Sequence, residues 1–317
     1  MGEQPTNATV ADPAPAHQPR AGAGPRALIV LSGGVRTSRL SEALGRSLLD
    51  LPLPGAGTLL ATWRQHAAGL AGELGIDRLA LRVMVSKPLA LPRPVPGHER
   101  LGVTLEYDKI ELRGTGGLLR DLAEDYADDD ELLVVAGHQA LLRPLADLYK
   151  LMRAVGGDMT LLAEVDGSAV GVHLVRCGAL RDVRAKGYVD LKEQALPEIA
   201  RTRIVRVATS PRRAAMPIRT LDQYMRVLRV LTEGADADAA NDPYAEEWTP
   251  TFALVDAGAR VARTAVIHDS VVMNGAAVGD GAVLVRSLVC EDAHVEPGSL
   301  VFDSVVSSAR QAAGGGR

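Results

Sequence analysis

The chain has 317 residues, a formal net charge of −4 and an isoelectric point near 6.0. Hydrophobic residues make up 47% of it and charged residues 23%, a balance that predicts a soluble globular protein and gives no reason to expect nucleic-acid binding. No apolar run reaches the roughly 18 residues that a membrane-spanning helix needs, so we expect no membrane association. The two cysteines, Cys177 and Cys290, have no ligand-like spacing. They argue against a disulfide scaffold or zinc site and favour a cytoplasmic location.

The N-terminal region, residues 1–25, is rich in Pro, Ala, Gly and polar residues and has no apolar periodicity. It lacks the hydrophobic centre of a signal peptide, and its composition is typical of a disordered tail. For the rest of the chain we predict an α/β domain over residues 26–232, a linker over 233–254, a repeat domain over 255–308 and a second disordered tail over 309–317.

The first predicted strand, residues 28–32, leads directly into a glycine pair, Gly33 and Gly34, and then into the basic residues Arg36 and Arg39. Glycine lets the backbone pass close to a ligand. A buried strand followed by glycines and positive charge is typical of a loop that cradles a phosphate group. The pattern also fits a simple tight turn, because neither the dinucleotide-binding fingerprint nor a P-loop is present.

Strands and helices then alternate, as an α/β sheet requires. Thr58 is suited to cap a helix whose apolar residues recur at intervals of three and four until Gly75. The continuous apolar run 132–136 is typical of a central strand covered on both faces, and His138 follows it. Ligands of open α/β sheets bind beyond the carboxyl ends of strands. We therefore expect His138 to line a site, although a loop histidine bonded to backbone fits the same position.

The remaining predicted elements rest on the same signals. Asp190 begins a capping box and a helix that Pro197 is expected to end, and Thr220 is expected to cap another helix. The acidic stretch 121–130 fits a solvent-exposed face better than a metal cluster. Further elements are predicted at residues 79–85, 145–155, 159–163, 170–174 and 203–208. A basic cluster that fits either a phosphate site or a solvated rim consists of Arg206, Arg212, Arg213 and Arg219.

From about residue 255 an aliphatic residue returns every five or six positions, with small residues between. This period is typical of a triangular parallel β-helix, in which each hexapeptide supplies one short strand and its aliphatic side chain fills the interior. The stack is shorter than about three coils, so we expect it to lean on the α/β domain or on a neighbouring chain and to support oligomers. The aliphatic positions are Val261, Ile267, Val272, Val278, Leu284, Val289, Val295 and Val301.

Three segments of the chain share their order with a known family. They are Ser32-Gly33-Gly34 followed by Arg39 and Arg46, then Gly114-Thr115-Gly116, then Gly137-His138 after the central strand. With the C-terminal repeat, this order resembles the sugar-1-phosphate nucleotidylyltransferases over about residues 26–308. Such enzymes join a nucleoside triphosphate to a sugar 1-phosphate and release pyrophosphate. The resemblance implies a Rossmann-like mixed α/β sheet of the GT-A type, followed by a short left-handed parallel β-helix.

The resemblance also implies roles for individual residues. Arg39 and Arg46 would carry the catalytic charge, and Asp190 would belong to the sugar-side helix. The ligands would be a nucleoside triphosphate with a sugar 1-phosphate, or a nucleotide sugar, and an active enzyme would use Mg²⁺. The residues implied to bind the nucleotide are Ser32, Gly33, Gly34, Gly114, Thr115, Gly116 and His138.

The chain departs from the family at three positions. Arg46 stands where the family has a lysine, which exchanges a compact ammonium for a planar fork. His138 and Pro217 stand where the family has metal-binding aspartates, and neither replaces a carboxylate ligand of Mg²⁺, so we assign no metal ligand. Two functions remain open: a nucleotidylyltransferase with a rebuilt site, or a non-catalytic paralogue that binds a nucleotide or nucleotide sugar and regulates or scaffolds a partner.

Overall fold

The computed structural model describes residues 24–33, 38–87, 89–108, 113–233 and 252–308. The strands of its first part are β1 (Ala27–Ser32), β2 (Pro52–Leu53), β3 (Gly57–Thr58), β4 (Leu79–Val85), β5 (Leu101–Tyr107), β6 (Glu131–Ala136), β7 (Gln139–Leu141), β8 (Met159–Glu164), β9 (Ala169–Arg176), β10 (Val205–Ser210) and β11 (Ala215–Pro217). The helices are α1 (Arg39–Leu44), α2 (Leu59–Leu74), α3 (Gly114–Ala123), α4 (Leu145–Val155), α5 (Cys177–Arg181), α6 (Leu196–Ile199) and α7 (Leu221–Glu233). A 3-10 turn lies at Leu48–Asp50 and a π-helical turn at Leu191–Ala195.

Seven of these strands form one mixed sheet in the order β10-β8-β9-β6-β1-β4-β5. Strand β9 runs antiparallel to β6 and β8, and the other neighbouring pairs are parallel. Alternate residues of β1 enter two separate cores: Leu28 and Val30 pack on the side of α2, α4 and α7, whereas Ala27 and Ile29 pack on the side of α3 and α5. Burial on both faces explains the continuous apolar strands and confirms the predicted α/β class.

The helix predicted from Thr58 to Gly75 is confirmed as α2. The Thr58 hydroxyl accepts a hydrogen bond from the main-chain N–H of Ala61 at 3.2 Å, and Gly75 ends the helix in the left-handed conformation with φ of 63°. Trp63, on the buried face of α2, donates from its indole Nε1 to the carbonyl oxygen of Gly137 at 3.3 Å. This bond ties α2 to the turn that follows the central strand β6.

The helix predicted to end near Pro197 continues beyond it, so that part of the prediction is wrong. Asp190 caps the segment as expected, because its Oδ1 accepts from the main-chain N–H groups of Lys192 and Glu193 at 2.8 and 2.9 Å. The bond back to the Asp190 N–H comes from Gln194 instead of Glu193. Pro197 falls in the first turn of α6, where a missing N–H leaves no helical hydrogen bond unmade.

The last part of the chain, residues 252–308, is hereafter the coil domain. Its strands form three parallel sheets, each taking every third strand, in the orders β12-β15-β18-β21, β13-β16-β19 and β14-β17-β20. The strands are β12 (Ala253–Val255), β13 (Arg260–Val261), β14 (Val266–His268), β15 (Ser270–Val272), β16 (Ala277–Val278), β17 (Val283–Val285), β18 (Leu288–Val289), β19 (His294–Val295), β20 (Leu300–Phe302) and β21 (Val305–Val306). The chain therefore winds around a three-sided interior, which the eight predicted aliphatic residues fill.

The coil domain begins at Ala253, two residues before the predicted boundary, because Ala253 pairs with Ser270 one turn later. It makes three turns and one further strand, more than the predicted fewer than three. Each turn takes 17 residues because one corner is a residue short, which produces the five-residue steps of the repeat. At that corner Asp269, Arg286 and Asp303 adopt φ values of 46°, 45° and 47°, a left-handed conformation that lets the chain turn in the shorter length.

The coil domain packs on the α/β domain, as predicted from its short length. Leu288 and Cys290 belong to the same buried cluster as the residues of α2 and α7. Asp269, which is buried, accepts a hydrogen bond from Arg229 of α7 at 2.6 Å and another from the main-chain N–H of Phe252 at 3.1 Å. Apolar contact and a buried ion pair therefore hold the two parts together.

Cys177 and Cys290 are buried free thiols, and burial raises the pKa of each to about 12. Among the helices of the described ranges, none combines the length and the apolar character needed to cross a membrane. The predicted tails, most of the predicted linker, and the loop residues Gly34 and Arg36 lie outside the described residues.

Candidate functional site

Two adjoining cavities open at the carboxyl ends of β1 and β4, the edge at which the sequence places a ligand. The outer cavity, of about 380 Å³, extends toward α1 and His138. The inner cavity, of about 450 Å³, extends toward the start of α3. Together they are hereafter the cleft. Their shared wall consists of Leu31, Ser32, Gly33, Ser86 and Lys87.

Gly33 brings the chain end of β1 close to the end of β4. It has a φ of 143°, and a Cβ atom there would lie 2.7 Å from the hydroxyl oxygen of Ser86, so only glycine fits without displacing its neighbour. Ser86 donates its main-chain N–H to the carbonyl oxygen of Ser32 at 3.3 Å, and the Ser32 hydroxyl lies 2.7 Å from that of Ser47. The predicted nucleotide-binding residues Ser32 and Gly33 therefore line the cleft.

The structure does not bring Arg46 into the cleft. Its Nε donates to Asp50 Oδ2 at 2.9 Å, and its Nη1 lies 3.5 Å from Glu291 Oε2 in the coil domain. Arg93 joins the same group, because its Nη2 donates to Glu291 at 2.8 Å and its main-chain N–H to Asp50 at 2.8 Å. Arg39 begins α1 with an exposed side chain and is not a lining residue of either cavity. The two predicted catalytic arginines are thus not gathered at one site.

The predicted segment Gly114-Thr115-Gly116 forms the start of α3. Gly114 has a φ of 74°, and a Cβ atom there would lie 2.4 Å from the carbonyl oxygen of Val189. Gly116 donates its N–H to the same oxygen at 2.9 Å, and Leu191 donates its N–H to the Thr115 hydroxyl at 3.2 Å. This close packing places Gly114, Thr115 and the predicted sugar-side residue Asp190 together on the wall of the inner cavity.

Sequence reasoning missed three charged residues of the cleft: Lys87, Asp108 and Arg113. Lys87 follows β4 and Asp108 follows β5, so each is placed at the carboxyl edge by its strand, and this position after a predicted strand was the signal available. Arg113 is buried and structural. It donates to Asp121 at 2.8 Å and to the carbonyl oxygen of Gly187 at 2.7 Å, and this guanidinium lowers the pKa of Asp121.

His138 lines the outer cavity, as predicted, and its partner is Arg219. The Nε and Nη2 atoms of Arg219 lie 3.0 and 2.9 Å from His138 Nε2, and the N–H of Ile218 donates to the His138 carbonyl oxygen at 2.7 Å. Burial, and then the charges of Arg219 and Lys192, lower the pKa of His138 to about 4. At neutral pH the imidazole is therefore uncharged, and its Nε2 accepts from the guanidinium.

A third cavity, of about 490 Å³, lies beside the cleft and is hereafter the basic cavity. Arg219 lines both this cavity and the outer cavity. The carboxylates of the basic cavity, Glu164 and Asp166, already accept from main-chain N–H groups at 2.9 and 2.8 Å. The cations that line it are Lys192, Arg212, Arg213 and Arg219. The fourth arginine of the predicted cluster, Arg206, donates instead to the carbonyl oxygen of Val155 at 2.9 Å.

The donor chemistry beside His138 does not fit Mg²⁺. The Nε2 lone pair is already used by Arg219, a cation stands where a second cation would have to bind, and Pro217 offers no side-chain ligand. In the described ranges, His, Cys, Asp and Glu side chains form no group of three or more suited to a metal ion. The inner cavity is different, because two carboxylates, Asp108 and Asp190, line it.

The geometry thus provides a cleft with a glycine at its centre, Lys87 and Arg219 on its outer wall, and two carboxylates on its inner wall. Positive charge with serine hydroxyls suits phosphate oxygens, and the inner carboxylates suit hydroxyl groups or a cation. When the chain is compared with models of known protein families and with curated proteins, neither comparison gives a match.

Proposed function

We propose that the chain binds a phosphate-bearing nucleotide, either a nucleoside triphosphate or a nucleotide sugar, and regulates or scaffolds a partner protein without catalysing nucleotidyl transfer. The observation that carries the proposal is the outer cavity, where Lys87 and Arg219 flank the close turn at Gly33. The proposal includes the finer fold type, a Rossmann-like sheet of the GT-A kind with a left-handed coil domain. The strand order and the every-third-strand pairing support it.

The composition of the outer cavity favours an anionic ligand. Its described lining residues include Lys87, Arg219 and three serines, Ser38, Ser41 and Ser86, but no carboxylate. Charge-assisted hydrogen bonds from such donors to phosphate oxygens are about twice as strong as neutral ones. A phosphate group at this position would also meet the backbone of Gly33, where no side chain intervenes.

The inner cavity favours the nucleoside or sugar part of the same ligand. Met84, Leu118 and Tyr188 give it an apolar surface, and Thr115 and Asp190 give it hydrogen-bonding groups. Sites for small molecules commonly combine an apolar lining with a few such groups. Because the two cavities share one wall, a single ligand with a polar phosphate end and a flat or hydroxylated end can occupy both.

The proposal is tested by calorimetry with ATP, GTP, UTP, dTTP, UDP-glucose and GDP-mannose. We expect one of them to bind with one site per chain. Lys87→Ala should weaken that binding about tenfold or more, since it removes a charged hydrogen bond. Lys150→Ala is the matched control, because Lys150 lies on α4 and pairs with Glu73 outside the cleft. No binding of any of these nucleotides, or equal weakening by both variants, would contradict the proposal.

A second candidate function, nucleotidyl transfer, is favoured by one observation: the two carboxylates Asp108 and Asp190 share the inner cavity. One or two carboxylates together with substrate phosphates are the usual ligands of Mg²⁺, and these two residues would hold it. Release of pyrophosphate from a nucleoside triphosphate and a sugar 1-phosphate measures this activity. If the chain is a transferase, Asp108→Asn abolishes release and retains nucleotide binding; if it only binds, the unaltered chain releases none.

The partner would meet the coil domain on the side formed by β14, β17 and β20. Val266, Val283 and Leu300 are paired in register across these strands, and Val266, Leu300 and Phe302 are 53%, 67% and 50% exposed. A second copy of the chain is the partner we propose, since a flat apolar ladder can meet its own copy. Light scattering should show a dimer that Leu300→Asp dissociates; a monomeric unaltered chain would contradict this.

A further inference from the structure

Arg219 occupies the wall that separates the outer cavity from the basic cavity, so one guanidinium faces two spaces. It follows the short strand β11, whose Pro217 pairs with Gln139 of β7. Its main-chain N–H donates to Gln223 Oε1 at 2.9 Å at the start of α7. The backbone at this position is thus fixed from both sides, while the side chain extends to the surface between the cavities.

His138 fixes the direction of that side chain. A guanidinium has five N–H donors in a planar fork, and His138 Nε2 receives those of Nε and Nη2. The described residues give Arg219 Nη1 no hydrogen-bond partner. Because the imidazole is uncharged, it accepts from the guanidinium without cancelling its positive charge. One edge of the fork is held by the protein, and the other is left for an anion.

The surroundings reinforce the positive charge. Lys192 is near enough to lower the pKa of His138, and Arg212 and Arg213 line the basic cavity together with Arg219. Glu164 and Asp166, the acidic residues there, are engaged by the N–H groups of Ala214 and Ser168. This concentration of cations would repel a divalent metal ion and attract a phosphate group.

We infer that Arg219, oriented by His138, takes the place of a divalent cation at this site and binds the diphosphate group of the ligand directly, so that binding needs no metal. The inference rests on the proposed function, because it presumes a phosphate-bearing ligand in the outer cavity. Arg219 is the group that contacts the anion, and His138 is a positioning residue. The diphosphate lies between the outer and the basic cavity, within reach of Lys87 on one side and Arg212 on the other.

The test is calorimetric binding of UTP, dTTP, UDP-glucose and inorganic pyrophosphate to the full chain, each measured once with excess EDTA and once with MgCl₂. We expect the unaltered chain to bind as tightly in EDTA as in Mg²⁺, within about twofold. Arg219→Ala should weaken binding in EDTA by about 10- to 100-fold, the range of a charged hydrogen bond. Arg226→Ala removes the same charge from an exposed position on α7 and should leave binding unchanged.

Two further variants separate positioning from folding. His138→Ala should weaken binding less than Arg219→Ala, and His138→Gln should restore it, since the Gln amide oxygen also accepts from a guanidinium. The double variant Arg219→Ala with His138→Ala should bind no more weakly than Arg219→Ala alone, because His138 acts only through Arg219. Thermal unfolding of each variant verifies the fold.

The outcomes distinguish this inference from the proposed function. If the unaltered chain binds none of the probes in either buffer, the proposed function and the inference both fail. If it binds, but EDTA abolishes the binding or Arg219→Ala leaves it unchanged, the inference alone fails. If His138→Gln binds as weakly as His138→Ala, the positioning role of His138 is wrong.

Discussion

Arg46 and Glu291 form an ion pair, with 3.5 Å between Nη1 and Oε2, that joins the segment after the first loop to the coil domain. The same guanidinium donates to the buried carboxylate of Asp50 at 2.9 Å. Arg93 contacts both carboxylates, by its main-chain N–H and its Nη2 respectively. The charge that the sequence suggested for a phosphate site is therefore engaged in holding the two parts of the molecule together.

Replacing Arg46 should consequently lower stability and spare ligand binding. Arg46→Ala leaves the buried Asp50 without its cation, which costs about 1 to 3 kcal/mol. Urea unfolding measures this loss, and calorimetry with the nucleotides above should show affinity changed by less than about twofold. A large loss of affinity with normal stability would return Arg46 to the binding site.

Gly114→Ala should destabilise the chain and weaken nucleotide binding together. The substitution forces a side chain into a φ of 74° and brings its Cβ to 2.4 Å from Val189 O, so α3 must move away from the segment that carries Asp190. Gly167→Ala is the matched control, because Gly167 has a φ of 82° but no neighbouring atom within 4 Å. We expect the control to lose only the conformational penalty, about 1 to 2 kcal/mol. Equal losses in both variants would argue against the packing role of Gly114.

His173 should make the chain less stable in mild acid. It is buried on β9 with Nδ1 unpartnered among the described residues, and burial, then the charge of Lys192, lower its pKa from 6.5 to about 4. Between these two values the unfolded chain binds a proton that the folded chain excludes. Stability is therefore complete above pH 6.5 and falls as the pH drops to about 4, by up to about 3 kcal/mol from this residue.

His173→Leu tests this dependence, since leucine suits the apolar cavity that His173 lines with Leu161 and Val207. Urea unfolding at several pH values should show a stability curve that is flatter by about one proton between pH 6.5 and 4. At pH 7 the variant should be no less stable than the unaltered chain, because no satisfied hydrogen bond of Nδ1 is lost. An unchanged slope would show that His173 titrates normally in the folded chain.

Removal of the coil domain should expose part of the main core. Val271, Leu288 and Cys290 are buried in one cluster with residues of α2 and α7, and burial of such side chains stabilises by about 1.5 to 3 kcal/mol each. A chain that ends at residue 250 should therefore lose solubility and unfold at a lower temperature. Unchanged solubility and Tm would mean that the contact with the coil domain contributes little.

Local features of the sequence were enough to predict much of the fold. Thr58 and Gly75 bound α2 through their own hydrogen bond and φ value, and the aliphatic positions from Val261 to Val301 define the interior of the coil domain. The site was predicted only in part, since Gly33, Thr115 and His138 line the cleft whereas Arg46 does not. Pairs such as His138 with Arg219 depend on how distant strands meet, and periodicity carries no information about such meetings.

The central claim is that a nucleotide occupies the cleft with its phosphates between Lys87 and Arg219. A crystal structure of the unaltered chain with the nucleotide or nucleotide sugar that calorimetry selects, grown in EDTA, tests it most directly. We predict phosphate oxygens within about 3 Å of Lys87 Nζ and of the Arg219 guanidinium, with the nucleoside or sugar beside Thr115 and Asp190. A ligand bound elsewhere on the chain, with the cleft unoccupied, would contradict the claim.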